Sequence, residues 1–214
     1  MTNYVLIAHP RTASSWVKNH FQQLESQKFL GEYFSPDNMQ PGMFKKDYNQ
    51  LKIDFLEESR VKGTEYFIKY MVEHIDNFPD WFTTFYKDYE KIKLLNTDVW
   101  GVFLSYGYQC YIGWNNTGLY KRPTEIKEFN IFLPVIQTFA KSYSQYIRYD
   151  NYDTLFDMKE ISTKTILKHI GIPQYDIKSK RHVHNYELKL KQNIEMTKLF
   201  LKDELRKNNN DMVF

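Results

Sequence analysis

Residues 4–16, YVLIAHPRTASSW, decide the fold of this chain. The apolar run at 4–9 predicts a buried strand that breaks at Pro10, and the residues after it predict an amphipathic helix over 14–27. Amide groups at the start of a helix have no partner within the helix, and the helix dipole adds positive charge there. This strand-to-helix junction therefore predicts a site for a phosphate or a sulfate.

Side chains in the junction also suit an anion. Ser14 and Ser15 can cap the helix and donate O–H groups, and Arg11 can donate two N–H groups to one tetrahedral anion. The junction differs from the phosphate loop of ATP- and GTP-hydrolysing proteins, because the first glycine of the chain is Gly31 and no lysine precedes Ser14. An ordinary turn, in which a serine caps the helix and Arg11 is a solvated charge, is the alternative that these residues leave open.

Composition limits the class of protein. The chain has 214 residues, of which 42% are hydrophobic, and this predicts one domain over 1–214. The net charge of +3 favours anionic ligands but is too low to indicate nucleic-acid binding. Cys110 is the only cysteine, which excludes an intramolecular disulfide and a cysteine-based metal site. The sequence shows no leader pattern and no long apolar run, so we expect a cytoplasmic protein without a membrane partner.

Strand-like and helix-like segments alternate along the chain, which predicts an α/β fold of three layers, a central parallel sheet flanked by helices. The predicted strands are 4–9, 64–71, 91–95 and 145–150, with a short apolar segment at 29–34. The predicted helices are 14–27, 50–62, 72–90 with an interruption at Pro79, 98–112, 130–144, 160–169 and 184–206.

Residues 10–16 resemble the 5′-phosphosulfate loop of sulfotransferases, which has Pro, a basic residue, a hydroxyl residue, Gly or Ala, two hydroxyl residues and Trp. Ala13 stands where glycine is usual. The resemblance implies the P-loop NTPase-like fold of sulfotransferases and 3′-phosphoadenosine 5′-phosphosulfate as the sulfuryl donor, with no metal. It also implies that Arg11 stabilises the leaving oxygen. The donor-binding residues that it implies in this loop are Arg11, Thr12, Ala13, Ser14, Ser15 and Trp16.

Later segments resemble the same family in the same order. Residues 29–34 are similar to the segment that carries the catalytic base in bacterial sulfotransferases of the trehalose-modifying kind, which implies that Glu32 is the base. Residues 64–71 resemble that group's second strand, which also carries a lysine, here Lys69, near its end. Residues 148–150 with 161–172 resemble its last strand-helix unit.

The 3′-phosphate side of the donor site departs from the family. Residues 98–105 resemble the helix whose serine holds the 3′-phosphate, which implies this role for Ser105. The helix geometry places Asp98, Gly101 and Ser105 on one side, and close approach of a ligand is one reason for a glycine there. Asn96 and Thr97 stand where the family has arginines. Either Arg181, or Lys180 beside it, reaches the 3′-phosphate, or the donor is bound weakly or is a different molecule. A solvated loop before the last helix is the structural alternative for these basic residues.

The base must accept a proton from the acceptor hydroxyl. Burial of Glu32 beside Tyr33 and Phe34 would favour its protonated form and suit this task. His9, adjacent to the loop, is the competing candidate. For Glu32 the structural alternative is a surface carboxylate, and for His9 a histidine with a purely structural role.

Three functions remain open from the sequence. The first is a sulfotransferase acting on a hydroxyl of a sugar or a small alcohol. The second is a kinase-type enzyme that binds a nucleotide or phosphate on the same fold, and the third is a non-catalytic binding protein that has lost the donor site. Residues 36–62 and 112–130 are expected to form walls of the acceptor site, and the aromatic and polar residues of 112–130 would equally suit a homodimer contact.

Overall fold

Five parallel strands form the central sheet in this computed structural model. Their order across the sheet is β2-β3-β1-β4-β5, and each neighbouring pair is parallel. The predicted parallel α/β sheet is thereby confirmed. The strands are β1 Tyr4–Ala8, β2 Lys28–Gly31, β3 Tyr66–Met71, β4 Glu90–Leu95 and β5 Thr154–Asp157. The structure describes residues 2–34, 44–72, 78–111, 128–173 and 186–208.

Contacts divide the chain into two compact units. The first comprises residues 1–95 and 150–181 and contains the sheet, and the second comprises 96–149 and 182–214. A single domain over 1–214 stays a prediction.

The first unit carries helices on both faces of its sheet. On one face, Leu6 and Ile92 belong to a core cluster with Phe21 of α1 (Ser14–Phe21) and Leu167 of α6 (Thr163–His169). On the other face, the ring of Tyr70 meets that of Phe82 edge-on at 4.6 Å; Phe82 belongs to α3 (Pro79–Phe85). Helix α2 (Lys45–Val61) contacts the start of β3 through Phe55 and Tyr66, whose ring centroids are 5.5 Å apart. Sheet and helices together make three layers.

The strand order reverses direction at β1. The chain leaves β1 through α1 and reaches β2 beyond β3, whereas it leaves β4 and reaches β5 on the opposite side of the sheet. In open α/β sheets, ligands bind outside the carboxyl ends of the strands at such a reversal. The loop after Ala8 therefore lies where this topology favours a ligand.

The described residues of the second unit form helices and one isolated parallel bridge between Phe129 and Leu190. This unit contains α4 (Val99–Tyr111), α5 (Leu133–Arg148), a 3-10 turn at Glu187–Lys189 and α7 (Ile194–Lys207). Helix α5 packs against α4 and α7. In neither unit does a helix of the described ranges have the length and apolar character needed to cross a bilayer.

Several predicted boundaries are wrong. The strand expected at 145–150 does not exist, because α5 continues to Arg148 and buries Ile136, Phe139 and Tyr143 at helical spacing. The fifth strand lies at Thr154–Asp157 instead. Helix α1 ends at Phe21, six residues before the predicted end. The predicted helix 72–90 is wrong at its end, because β4 begins at Glu90, and residues 73–77 lie outside the described residues. Helix α3 spans Pro79–Phe85, and its proline stands in the first turn, where a missing N–H costs least.

Candidate functional site

The loop between β1 and α1 turns through two left-handed residues. Arg11 has φ 69° and Ala13 has φ 61°, and they are the residues other than glycine with positive φ in the described chain. Between them, the Thr12 hydroxyl donates to the His9 carbonyl at 2.7 Å. A left-handed residue with a side chain costs about 1–2 kcal/mol relative to its right-handed form. Alternation of left-handed with ordinary residues is the backbone arrangement of anion-binding nests, and it also explains why glycine would fit at position 13.

The first turn of α1 offers open backbone donors. Ala13 is the N-cap residue and supplies no capping side chain. The amide groups of Ala13, Ser14 and Ser15 make no hydrogen bond to any residue in the described part of the chain. The expectation that Ser14 or Ser15 caps the helix is therefore wrong. Three N–H groups and the positive end of the helix dipole remain for an anion.

The Ser14 hydroxyl accepts a hydrogen bond from a buried lysine of the sheet, Lys69. Lys69 lies in β3 between Phe67 and Met71, in register with Leu6 of β1, and only 1% of its surface is exposed. Its ammonium donates to the Ser14 hydroxyl at 3.2 Å. A charged group so far from water is costly unless it is paired, so Lys69 requires anionic or polar partners near the loop.

Glu32 supplies the negative partner of Lys69. Its carboxylate forms an ion pair with the Lys69 ammonium, while 39% of the Glu32 side chain is exposed. Gly31 positions Glu32 at the end of β2 through a left-handed turn with φ 66°. Burial lowers the pKa of Lys69 most strongly and the Glu32 carboxylate opposes this shift, whereas the charges of Lys18 and Arg11 lower the pKa further. The structure thus brings the loop and Glu32 together through Lys69.

The expected burial of Glu32 is met only in part, since 39% of its side chain is exposed. The rings of the two residues after it pack on other rings: Phe34 on Tyr70, with 5.1 Å between centroids, and Tyr33 on Phe55, with 5.8 Å between centroids. The charged partner of the Glu32 carboxylate in the described chain is Lys69.

The remaining side chains of the loop differ in exposure. Those of Arg11 and Ser15 are exposed to solvent. Trp16 is half-buried, packs against the core cluster and meets the His20 ring edge-on at 5.0 Å. Trp16 therefore fixes α1 to the core, and its expected contact with a donor stays a prediction.

His9 is poorly suited to accept a proton. It is 1% exposed, and its Nδ1 donates to the Pro10 carbonyl at 2.8 Å. Burial lowers the pKa of His9 to about 3. An acceptor hydroxyl cannot reach a ring that is 1% exposed, whereas 39% of the Glu32 side chain faces solvent, so Glu32 is the stronger candidate.

The residues expected near a 3′-phosphate lie in the second unit or outside the described residues. Ser105 is half-buried on α4. Asn96 is buried and structural: its amide N–H donates to the Tyr146 hydroxyl at 3.1 Å, and its carbonyl accepts from Tyr143 at 2.5 Å. Thr97 likewise lacks a charge. Arg181 and Lys180 fall outside the described residues.

Gly101 has a reason other than a ligand. The Asp98 carboxylate accepts from the Gly101 amide at 2.9 Å and so caps the start of α4. A Cβ on Gly101 would clash with an Asp98 carboxylate oxygen. The glycine makes room for the cap.

The charges of Lys18 and Arg11 act on Lys69 together with that of Glu32. Sequence reasoning noted Lys69 as a lysine near the end of an apolar strand, as in the resembled family, but gave no role to Lys69 or Lys18. Within the described ranges, no group of three or more His, Cys, Asp or Glu side chains is placed to hold a metal ion.

Comparison of the sequence with protein-family models and with curated proteins gives no match.

Proposed function

We propose that this chain is a sulfotransferase that moves a sulfuryl group from 3′-phosphoadenosine 5′-phosphosulfate to a hydroxyl of a sugar or a small alcohol. The observation that carries the proposal is the loop at residues 9–15, where three open amides lie beside a buried ammonium and a carboxylate. The sulfotransferase variety of the three-layer fold is part of the same proposal.

The loop would bind the 5′-phosphosulfate of the donor. The amides of Ala13, Ser14 and Ser15 donate to its oxygens, and the exposed guanidinium of Arg11 adds a two-pronged, charge-assisted contact. Such a site neutralises the charge by positioned donors, which is the main requirement of a group transfer with little covalent work for the protein.

Transfer would proceed in one displacement. The acceptor oxygen forms a bond to sulfur, and the bond between sulfur and the bridging oxygen of the 5′-phosphate breaks. The acceptor proton passes to the Glu32 carboxylate. Negative charge that develops on the bridging oxygen is stabilised by the loop amides and Arg11, so adenosine 3′,5′-bisphosphate leaves as the second product.

A non-catalytic binding protein is the second candidate. Asn96 favours it, because this residue stands where a charged side chain would hold the 3′-phosphate and its backbone is committed to Tyr143 and Tyr146. A site without that charge would bind the donor less tightly.

Turnover of the donor separates these candidates. Wild-type protein is incubated with the phosphosulfate donor and a panel of monosaccharides and small alcohols, and released adenosine 3′,5′-bisphosphate is measured. We expect acceptor-dependent release, and we expect Glu32→Gln to bind the donor and to lose release. Binding without release would select the non-catalytic candidate, and turnover of ATP with Mg²⁺ in place of the donor would select a kinase-type enzyme. Normal release by Glu32→Gln would overturn the assignment of the base.

A further inference from the structure

The Lys69 ammonium lies between the loop and Glu32. It donates to the Ser14 hydroxyl at 3.2 Å on one side and pairs with the Glu32 carboxylate on the other. Described residues account for two of its three N–H donors. The same cation therefore reaches a residue of the anion loop and the candidate base.

Lys69 lies among other cations of the described chain. The charges of Lys18 and Arg11 disfavour its protonated form, and the Glu32 carboxylate favours it. An anion that enters near Lys69 is attracted by these three positive charges. An anion bound to the loop amides would lie beside Ser14, which the Lys69 ammonium already contacts.

Glu32 and Lys69 differ in their freedom to move. The Lys69 side chain is 1% exposed and is enclosed by the sheet and α1, whereas 39% of the Glu32 side chain faces solvent. Water can hydrate Glu32 when it leaves its partner, but nothing comparable can replace a partner for Lys69. In a competition for Lys69, Glu32 is the group that yields.

We infer that Lys69 is an anion-binding residue of this site and that Glu32 is its resident counter-ion, which the incoming anion displaces. The inference rests on the proposed function, and it adds a regulation of the site. While the loop is empty, Glu32 is held by Lys69. When a phosphosulfate occupies the loop, Lys69 turns to the anion and the carboxylate is released to accept a proton. Occupancy of the donor site thereby makes the base available.

A double-mutant cycle tests the exchange. Dissociation constants are measured by titration calorimetry for wild type, Glu32→Gln, Lys69→Met and the double variant, with adenosine 3′,5′-bisphosphate and, separately, with inorganic pyrophosphate. Because a competitor is removed, we expect Glu32→Gln to tighten binding by about threefold to tenfold. Loss of a charged donor should make Lys69→Met weaken binding by about tenfold or more. In the Lys69→Met background, Glu32→Gln should change nothing.

A matched control separates exchange from net charge. Glu25 is an exposed carboxylate within the segment that joins α1 to β2. Glu25→Gln changes the net charge as Glu32→Gln does, and we expect it to leave both dissociation constants within twofold of wild type, about the limit for a distant screened charge.

Each outcome bears on one proposal. The exchange is overturned if Glu32→Gln leaves the affinity for the anion unchanged or weakens it. It is also overturned if Glu32→Gln tightens binding equally in the Lys69→Met background. In both cases the proposed function survives if the bisphosphate still binds. A Lys69-dependent gain for pyrophosphate, with no binding of the bisphosphate, supports the exchange and overturns the nucleotide donor. Absence of binding for both ligands overturns both proposals. If Lys69→Met fails to fold, the comparison of Glu32→Gln with Glu25→Gln decides.

Discussion

Removal of Lys69 and removal of Glu32 from their ion pair should have unequal consequences for the free energy of unfolding. Lys69→Met deletes a buried ammonium and leaves behind a carboxylate that is 39% exposed and can be hydrated. Glu32→Gln keeps a hydrogen-bond acceptor but leaves the ammonium of Lys69, 1% exposed, without a countercharge. The buried partner bears the larger desolvation cost, so the free energy of unfolding should depend on which partner is removed.

The magnitudes follow from burial. Lys69→Met loses a half-exposed ion pair worth about 0.5–1 kcal/mol and a hydrogen bond to Ser14 worth about 1 kcal/mol. It also removes a desolvation penalty of comparable or larger size, so we expect unfolding free energy within about 1 kcal/mol of wild type, or higher. Glu32→Gln should cost about 1–3 kcal/mol. For a chain of this size, that loss lowers Tm by about 2–12 °C.

Urea unfolding followed by circular dichroism measures both values. The buffer must lack phosphate and sulfate, since either anion would bind the loop and mask the difference. Glu25→Gln serves as the charge control and should match wild type. A Lys69→Met protein that is less stable than Glu32→Gln by more than about 1 kcal/mol would refute the reasoning. Leaving the exposed Glu32 without a countercharge would then cost more than leaving the buried Lys69 without one.

Three further changes have defined outcomes. Arg11→Ala should weaken binding of adenosine 3′,5′-bisphosphate by about tenfold or more, measured as a smaller ligand-induced rise in Tm; an unaltered rise would contradict a role for this guanidinium. Burial lowers the pKa of Lys93 to about 8 from 10.5. The unfolded chain therefore binds more protons between these values, and stability should rise by about 1–2 kcal/mol from about pH 7.5 to about pH 9.5 in wild type. The same measurement on Lys93→Met should show no such rise, and an equal rise there would assign the effect elsewhere. Asp98→Ala should cost about 1 kcal/mol by removing the cap of α4, and no loss in urea unfolding would disprove the capping role.

The parallel sheet could be predicted because its central strands are apolar on both faces. Residues 4–8 are all buried, as a continuous apolar run requires when helices cover both sides of a sheet. The position of the fifth strand was predicted wrongly, because an edge strand is less apolar than a central one. Thr154–Asp157 pairs with β4 alone and carries mixed residues, whereas residues 145–148 contain tyrosine and isoleucine, which suit a strand as well as the buried face of a helix.

The site could be predicted only in part. The anion loop follows from local order along the chain, since hydroxyl residues after a buried strand lead directly into a helix. Lys69 contacts Ser14 across 55 positions of sequence, and a lysine in an apolar strand does not reveal what it faces. The residue types of Arg11 and Ala13 do not predict a left-handed backbone, because glycine and asparagine are the residues that ordinarily adopt it.

The most direct test of the account observes the loop amides themselves. Backbone N–H resonances are recorded by nuclear magnetic resonance during titration of the wild-type protein with adenosine 3′,5′-bisphosphate. The account predicts that the largest shifts fall on the amides of Ala13, Ser14 and Ser15, since these donors have no other partner among the described residues. Saturable shifts confined to other parts of the chain, with these three amides unmoved, would contradict it.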